Sequence, residues 1–197
     1  MATPWIRSVR DTKTLTVFNG IGTGHWANIF TIALESFNKF AKPTGIKMVS
    51  AGDEQQANII MRLAEGAAHY EYDGTKYEKA FSGTTLHGLT RTLARDGVIE
   101  KAFVFLPAKP QVTVFDNKGQ QSEQMASQDV MKVIAVHELI HACGLDEPRD
   151  HGGDGIFYYP LSYQEGKVYV PERGKNQALM PPIRPDGIIT GKIKELW

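Results

Sequence analysis

The sequence predicts a mixed α+β domain, and three observations lead to this prediction. Short β-branched or aromatic runs are interspersed with two long helical patterns along the chain. The chain has 197 residues, of which 42% are hydrophobic, so it can bury a sizeable core. No repeat, low-complexity segment or flexible linker divides it. We therefore expect residues 1–197 to form a single domain.

Charge and hydropathy exclude several classes of protein. The 22 lysines and arginines balance 22 aspartates and glutamates, whereas nucleic-acid-binding proteins usually carry a basic excess. No apolar run reaches the roughly eighteen residues of a transmembrane helix, and residues 1–10 lack the apolar segment of a signal peptide. We expect neither nucleic acid nor a membrane as a partner, and a monomeric protein that is cytoplasmic or phage-associated.

The first half of the chain is predicted to form strands around one amphipathic helix. Residues 14–18 alternate and are rich in β-branched side chains, which indicates a strand. Residues 25–42 carry apolar side chains at helical spacing and end before a proline. Residues 46–51 and 58–63 are predicted as further strands. Residues 70–83 are polar and interrupted by glycine, so we expect a surface loop there.

Three more strands are predicted before the second long helix. Residues 101–106 form the strongest apolar run and end at a proline, and residues 112–115 form a shorter strand. Residues 84–94 have the pattern of a strand that contains Gly88, and a glycine there is typical of a sheet edge or a bulge.

A long helix is predicted over residues 127–143. It starts with a serine, a favourable N-cap, and stops before Gly144, a favourable C-terminal residue. Apolar residues surround it on every side, which is typical of a buried helix. Its Cys143 is the single cysteine, so it can form no intramolecular disulfide, and we expect a buried apolar residue rather than a metal ligand. Glycine and proline are frequent after Gly144, which predicts an upper subdomain of about residues 1–144 and a lower one of about 145–197.

The buried helix contains an HExxH pattern at residues 137–141 (HELIH). Residues four apart lie on the same face of a helix, so His137 and His141 can bind one zinc ion. Glu138 is placed to act on a water at the metal rather than as a ligand. Two histidines and a glutamate would be costly in an otherwise apolar helix without a compensating ligand. The pattern therefore predicts Zn²⁺ as a cofactor and Glu138 as the catalytic residue.

The continuation of this helix resembles a known family. Residues 137–146 (HELIHACGLD) resemble the active-site segment of the metzincin zinc endopeptidases, particularly the matrixin-like branch. Residues 178–181 (ALMP) are similar to the Met-turn of that family, in which Met180 would form an apolar floor under the zinc ligands. The resemblance implies a metzincin-like zincin fold: a twisted mixed β-sheet, two main helices and a small irregular C-terminal subdomain.

The third zinc ligand departs from the family pattern. The family usually places it three residues after the glycine, and Glu147 occupies that position here. His151 lies four residues further on, and neutral imidazole suits a zinc site better than carboxylate does. We expect His137, His141 and His151 to hold the metal. Glu147 is the first alternative to His151, and the aspartates at positions 146, 150 and 154 are the others.

Taken together, the motif and the resemblance imply a zinc-dependent endopeptidase whose partner is a protein or peptide substrate. Glu138 would act as general base for a metal-activated water. One alternative is a structural or binding module that keeps the metzincin fold with little activity. Another is a zinc hydrolase that acts on peptidoglycan or small peptides.

Overall fold

The structure is a computed structural model that describes residues 2–115, 118–145 and 187–197. Its α-helices are Arg7–Thr12 (α1), Ile29–Ala41 (α2), Gln128–Ala142 (α3) and Gly187–Leu196 (α4). Its strands are Thr14–Gly20 (β1), Lys47–Ala51 (β2), Ile59–Ala64 (β3), Gly66–Tyr72 (β4), Thr75–Phe81 (β5), Leu89–Arg95 (β6), Val98–Pro107 (β7), Gln111–Phe115 (β8) and Gln121–Met125 (β9). Short 3-10 helices occupy Gly24–Trp26 and Lys42–Thr44.

A five-stranded mixed sheet with the order β2-β1-β3-β7-β6 forms the centre of the fold. Strands β2, β1, β3 and β7 run parallel to one another, and β6 runs antiparallel to β7. The prediction of a mixed α+β fold is therefore confirmed. Strand β6 lies at the edge of this sheet, as Gly88 suggested, and its pairing with β7 is irregular between Leu93 and Ala94.

Helices α2 and α3 pack against each other and form the main core with the sheet. The alternation of β1 explains this placement, because Leu15 and Val17 are buried while their neighbours are partly exposed. Phe37 and Phe40 of α2 lie in the same core at helical spacing. Helix α3 is buried around its circumference, as its sequence predicts.

The predicted surface loop at residues 70–83 is wrong, because most of these residues form the antiparallel β4–β5 hairpin. Asp73 and Gly74 make its two-residue turn with φ of 51° and 73°, the conformation that Asp-Gly favours in hairpins. The hairpin belongs to a second apolar cluster, in which Ala68 and Tyr70 lie with Phe103 of β7. Strand β5 is polar and exposed along most of its length, so its sequence lacks the alternation of apolar and polar residues that predicts a strand.

The structure does not test the predicted division at residue 144. Of the lower subdomain, the structure describes Leu145 and residues 187–197, which contain α4. Ile193 of α4 is buried in the same core as the upper part of the chain. The division into two subdomains stays a prediction. Each helix in the described ranges is too short or too polar to cross a lipid bilayer.

Candidate metal centre

Helix α3 carries the candidate site and is fixed at its first turn. Ser127 is its N-cap, and the Ser127 hydroxyl accepts a hydrogen bond from the Val130 N–H at 3.4 Å. The predicted start of this helix is therefore confirmed. Two polar side chains of the HExxH segment are almost fully buried, since Glu138 and His141 are each 2% exposed. Such burial requires partners for both, because an unpaired buried polar group is costly.

The two helical histidines face each other through the same ring nitrogen. The Nε2 atoms of His137 and His141 lie 3.1 Å apart, and the ring planes meet at 70°. Two nitrogen ligands of a tetrahedral zinc, each about 2.0–2.1 Å from the metal, lie about 3.3 Å apart. The helix therefore holds both nitrogens at nearly the separation that one shared zinc ion needs, so these residues fit the ion.

The orientation of His141 is set by the chain that follows the helix. Its Nδ1 lies 3.0 Å from the Leu145 carbonyl oxygen. A carbonyl can only accept, so Nδ1 carries the proton and Nε2 of the neutral ring carries a lone pair. Metal-binding histidines usually donate their other N–H in this way. Without a metal, the same lone pair can accept a hydrogen bond from His137.

Glu138 is held by the edge strand β6. The Thr90 hydroxyl donates to Glu138 Oε2 at 2.7 Å and lies 3.0 Å from the backbone carbonyl of the same glutamate. Gly88, just before β6, makes this approach possible, because a Cβ there would lie 2.3 Å from Glu138 Cγ. The carboxylate is therefore enclosed between helix α3 and the strand at the rim of the sheet.

Two further residues, Cys143 and Gly144, lie at the end of α3 near the site. Cys143 is fully buried, as expected, and burial raises the pKa of its thiol. A protonated thiol is a poor metal ligand. Gly144 has φ of 108°, a left-handed conformation that suits glycine, so the helix ends where the sequence predicts.

The remaining predicted site residues lie outside the described ranges. They are the favoured third ligand His151, its alternatives Glu147, Asp146, Asp150 and Asp154, and the Met-turn residue Met180. Within residues 2–115, 118–145 and 187–197, no three histidines, cysteines or acidic residues come together as a metal site. The third ligand therefore stays a prediction.

Sequence reasoning did not identify Thr90 as a site residue. Its hydroxyl contacts Glu138, which lies 48 positions further along the chain, and a local sequence pattern cannot predict a contact over that distance. Gly88 did give a signal, since a glycine in a strand pattern also indicates a close approach of another group. Here the group that approaches is the Glu138 side chain.

Comparison with known proteins assigns no family to this chain. No family model matches it, and no curated protein matches it. The likeness of residues 137–146 and 178–181 to the metzincins stays a resemblance between short motifs.

Proposed function

We propose that the protein is a zinc-dependent endopeptidase of metzincin type, with His137 and His141 as two ligands and Glu138 as general base. One observation carries this proposal. The Nε2 atoms of His137 and His141 lie 3.1 Å apart on α3. The same helix buries the side chain of Glu138, which lies between the two histidines in the sequence. A purely structural zinc site has no use for that carboxylate, whereas a hydrolytic site requires a base there.

The fold supports the family assignment without carrying it. The mixed sheet has an antiparallel edge strand, and two long helices lie in its main core. The resemblance implies the same combination. We include in the proposal the metzincin fold, a third ligand at His151 with Glu147 as the alternative, and Met180 beneath the ligands.

The chain's own residues have distinct parts in the proposed reaction. When bound, zinc supplies a Lewis acid that polarises the scissile carbonyl and lowers the pKa of water to about 7. Glu138 takes the proton from the attacking water and passes it to the leaving amine. Thr90 holds one oxygen of that carboxylate in place, so the base does not have to reorient before it acts. The burial of Glu138 keeps bulk water away from this proton transfer.

Strand β6 is the proposed site for an extended peptide. In the described part of the chain, β6 pairs with β7 alone, so its other edge has no strand partner there. A peptide could add to that edge through main-chain hydrogen bonds. Because Thr90 belongs to β6 and contacts Glu138, a peptide on this strand would pass close to the base. This position favours a polypeptide substrate.

Metal analysis combined with a peptide-library digest tests the proposal. We expect about one zinc per chain, and cleavage that a chelator abolishes and added zinc restores. Glu138→Gln should keep zinc and lose activity by about 10²-fold or more, because it removes the base and no ligand. His137→Ala and His141→Ala should lose the metal. If the zinc-loaded wild type binds peptides without cleaving them, the proposed endopeptidase activity is wrong and the protein is a binding module.

A further inference from the structure

The C-terminal end of α3 has an unusual set of hydrogen-bond partners. The last carbonyls of a helix lack partners within it and must find them elsewhere. Here each carbonyl from Ile140 to Leu145 has an identified partner. Backbone N–H groups donate to three of them: Cys143 to Ile140 O at 3.1 Å, Gly144 to His141 O at 2.9 Å and Thr3 to Gly144 O at 2.9 Å. Side chains contact the other three: Trp5 Nε1 with Ala142 O at 2.9 Å, Trp197 Nε1 with Cys143 O at 3.2 Å and His141 Nδ1 with Leu145 O at 3.0 Å.

Two of these donors are tryptophan side chains from distant parts of the chain. Trp5 lies 137 positions from its acceptor Ala142, and Trp197 lies 54 positions from its acceptor Cys143. An indole N–H can only donate a hydrogen bond, and each of these two donates to one backbone carbonyl. The turn that follows the candidate metal helix is therefore held from two sides.

Each tryptophan is itself anchored to the rigid part of the fold. Trp5 is fully buried and bridges Ile99 of β7, whose N–H donates to the Pro4 carbonyl at 2.8 Å. Trp197 follows α4, which is fixed in the core through the fully buried Ile193. The two donors thus connect the helix end to the sheet and to α4.

The segment around Thr3 fits closely against the same turn. A Cβ on Gly144 would lie 2.1 Å from the Thr3 carbonyl oxygen, so this contact leaves no room for a side chain. The next carbonyl along the chain is that of Leu145, which accepts from His141 Nδ1. A shift of the turn would therefore move the group that sets the tautomer of His141.

We propose that Trp5 and Trp197 are positioning residues for the metal centre, a role that rests on the proposed zinc site. By donating to Ala142 and Cys143, they hold the turn in which the Leu145 carbonyl meets His141 Nδ1. That contact keeps the lone pair of His141 on Nε2, the atom that faces His137. Loss of groups that orient a metal ligand typically weakens metal affinity by about 10–100-fold.

The third tryptophan of the chain provides a matched control. Trp26 is as buried as Trp5, and its Nε1 also donates to a backbone carbonyl, that of Pro107, at 3.0 Å. Pro107 ends β7 and is not part of the turn after α3. Replacement by phenylalanine removes the N–H and keeps an aromatic ring at all three positions.

The test is zinc affinity, measured by competition with a chromogenic chelator for the wild type, Trp5→Phe, Trp197→Phe and Trp26→Phe. We expect about 10-fold weaker binding for the first two variants, because each acts one contact away from a group whose loss typically weakens affinity by about 10–100-fold, and wild-type affinity for Trp26→Phe. The visible spectrum of the Co²⁺-loaded protein should change in the same two variants. The melting temperature of the metal-free protein should fall by similar amounts in Trp5→Phe and Trp26→Phe, because both side chains are fully buried and each variant loses one neutral hydrogen bond.

Zinc affinity of Trp5→Phe and Trp197→Phe equal to that of Trp26→Phe would overturn the positioning role and leave the zinc site standing. A wild-type protein that takes up no zinc would overturn the proposed function, and this role with it. If Trp5→Phe fails to fold, the half-buried Trp197 decides the question alone, because its replacement disturbs the core least.

Discussion

Thr90 donates a hydrogen bond from its hydroxyl to Glu138 Oε2 at 2.7 Å, across the gap between the edge strand and the helix that carries the HExxH motif. The same hydroxyl lies 3.0 Å from the Glu138 carbonyl oxygen, so it contacts both ends of that residue. This relationship joins the proposed base to the proposed substrate strand. A side chain on β6 therefore sets the position of a carboxylate on α3.

The first prediction concerns this hydroxyl. Thr90→Val keeps the shape of the side chain and removes the donor, and hydrogen bonds to charged groups contribute about 1.5–3 kcal/mol. We expect kcat to fall by about tenfold or more, with zinc content and KM nearly unchanged. Thr90→Ser should restore most of kcat. Thr75→Val, at an exposed position of the β4–β5 hairpin and outside the proposed substrate strand, is the control and should behave as wild type.

The second prediction concerns the space that Gly88 leaves for Glu138. In Gly88→Ala, the added Cβ would lie 2.3 Å from Glu138 Cγ, so the glutamate must move by about 1 Å to reach ordinary contact. A displacement of that size can lower the rate about 100-fold. Steady-state kinetics should show this loss in kcat/KM. Gly52→Ala, where nothing lies within 4 Å of the added Cβ, should keep full activity, and equal activity of both variants would contradict the close approach.

The third prediction separates the hairpin from the site. Gly74 has φ of 73° in the β4–β5 turn, and a residue with a Cβ pays about 1–2 kcal/mol in this left-handed region. Gly74→Ala should therefore lower the free energy of unfolding by about 1 kcal/mol, as measured by urea denaturation. The hairpin packs in a different cluster from α3, so kcat/KM should stay at the wild-type value. Loss of activity in the folded variant would show that the hairpin acts on the site.

The fourth prediction chooses the third ligand. His151→Ala should weaken zinc binding sharply, because it would leave two protein ligands where a catalytic site needs three. Glu147→Gln should weaken zinc affinity by about 10–100-fold at most, which is the effect of losing a group that only orients a ligand. Chelator competition measures both affinities. The reverse order of effects would place a Glu147 oxygen on the metal, and the proposed hydrolase would keep its base and its two helical histidines.

Local patterns predicted those features that depend on neighbouring residues. The Ser127 cap and the end of the helix at Gly144 follow from interactions within about one helical turn, and the apolar residues on every side of α3 predicted its burial. The same short range places His137 and His141 on one helix face, and the observed 3.1 Å between their Nε2 atoms agrees with that spacing. The main strands of the sheet were also predictable from runs of β-branched and aromatic residues, and the edge position of β6 was predictable from Gly88.

Helical spacing alone places two histidines and a glutamate of α3 at metal-binding positions. Their surroundings form only in the folded protein, where Thr90 of the sheet edge contacts Glu138 and where Trp5 and Trp197 donate to the carbonyls of the turn after α3. The β4–β5 hairpin also required the tertiary structure, since only its inner face packs on the sheet. The two kinds of feature differ in the distance along the chain over which their interactions act. Helical periodicity and capping act between residues a few positions apart, whereas these contacts join residues up to 137 positions apart and exist only once the core has brought the elements together.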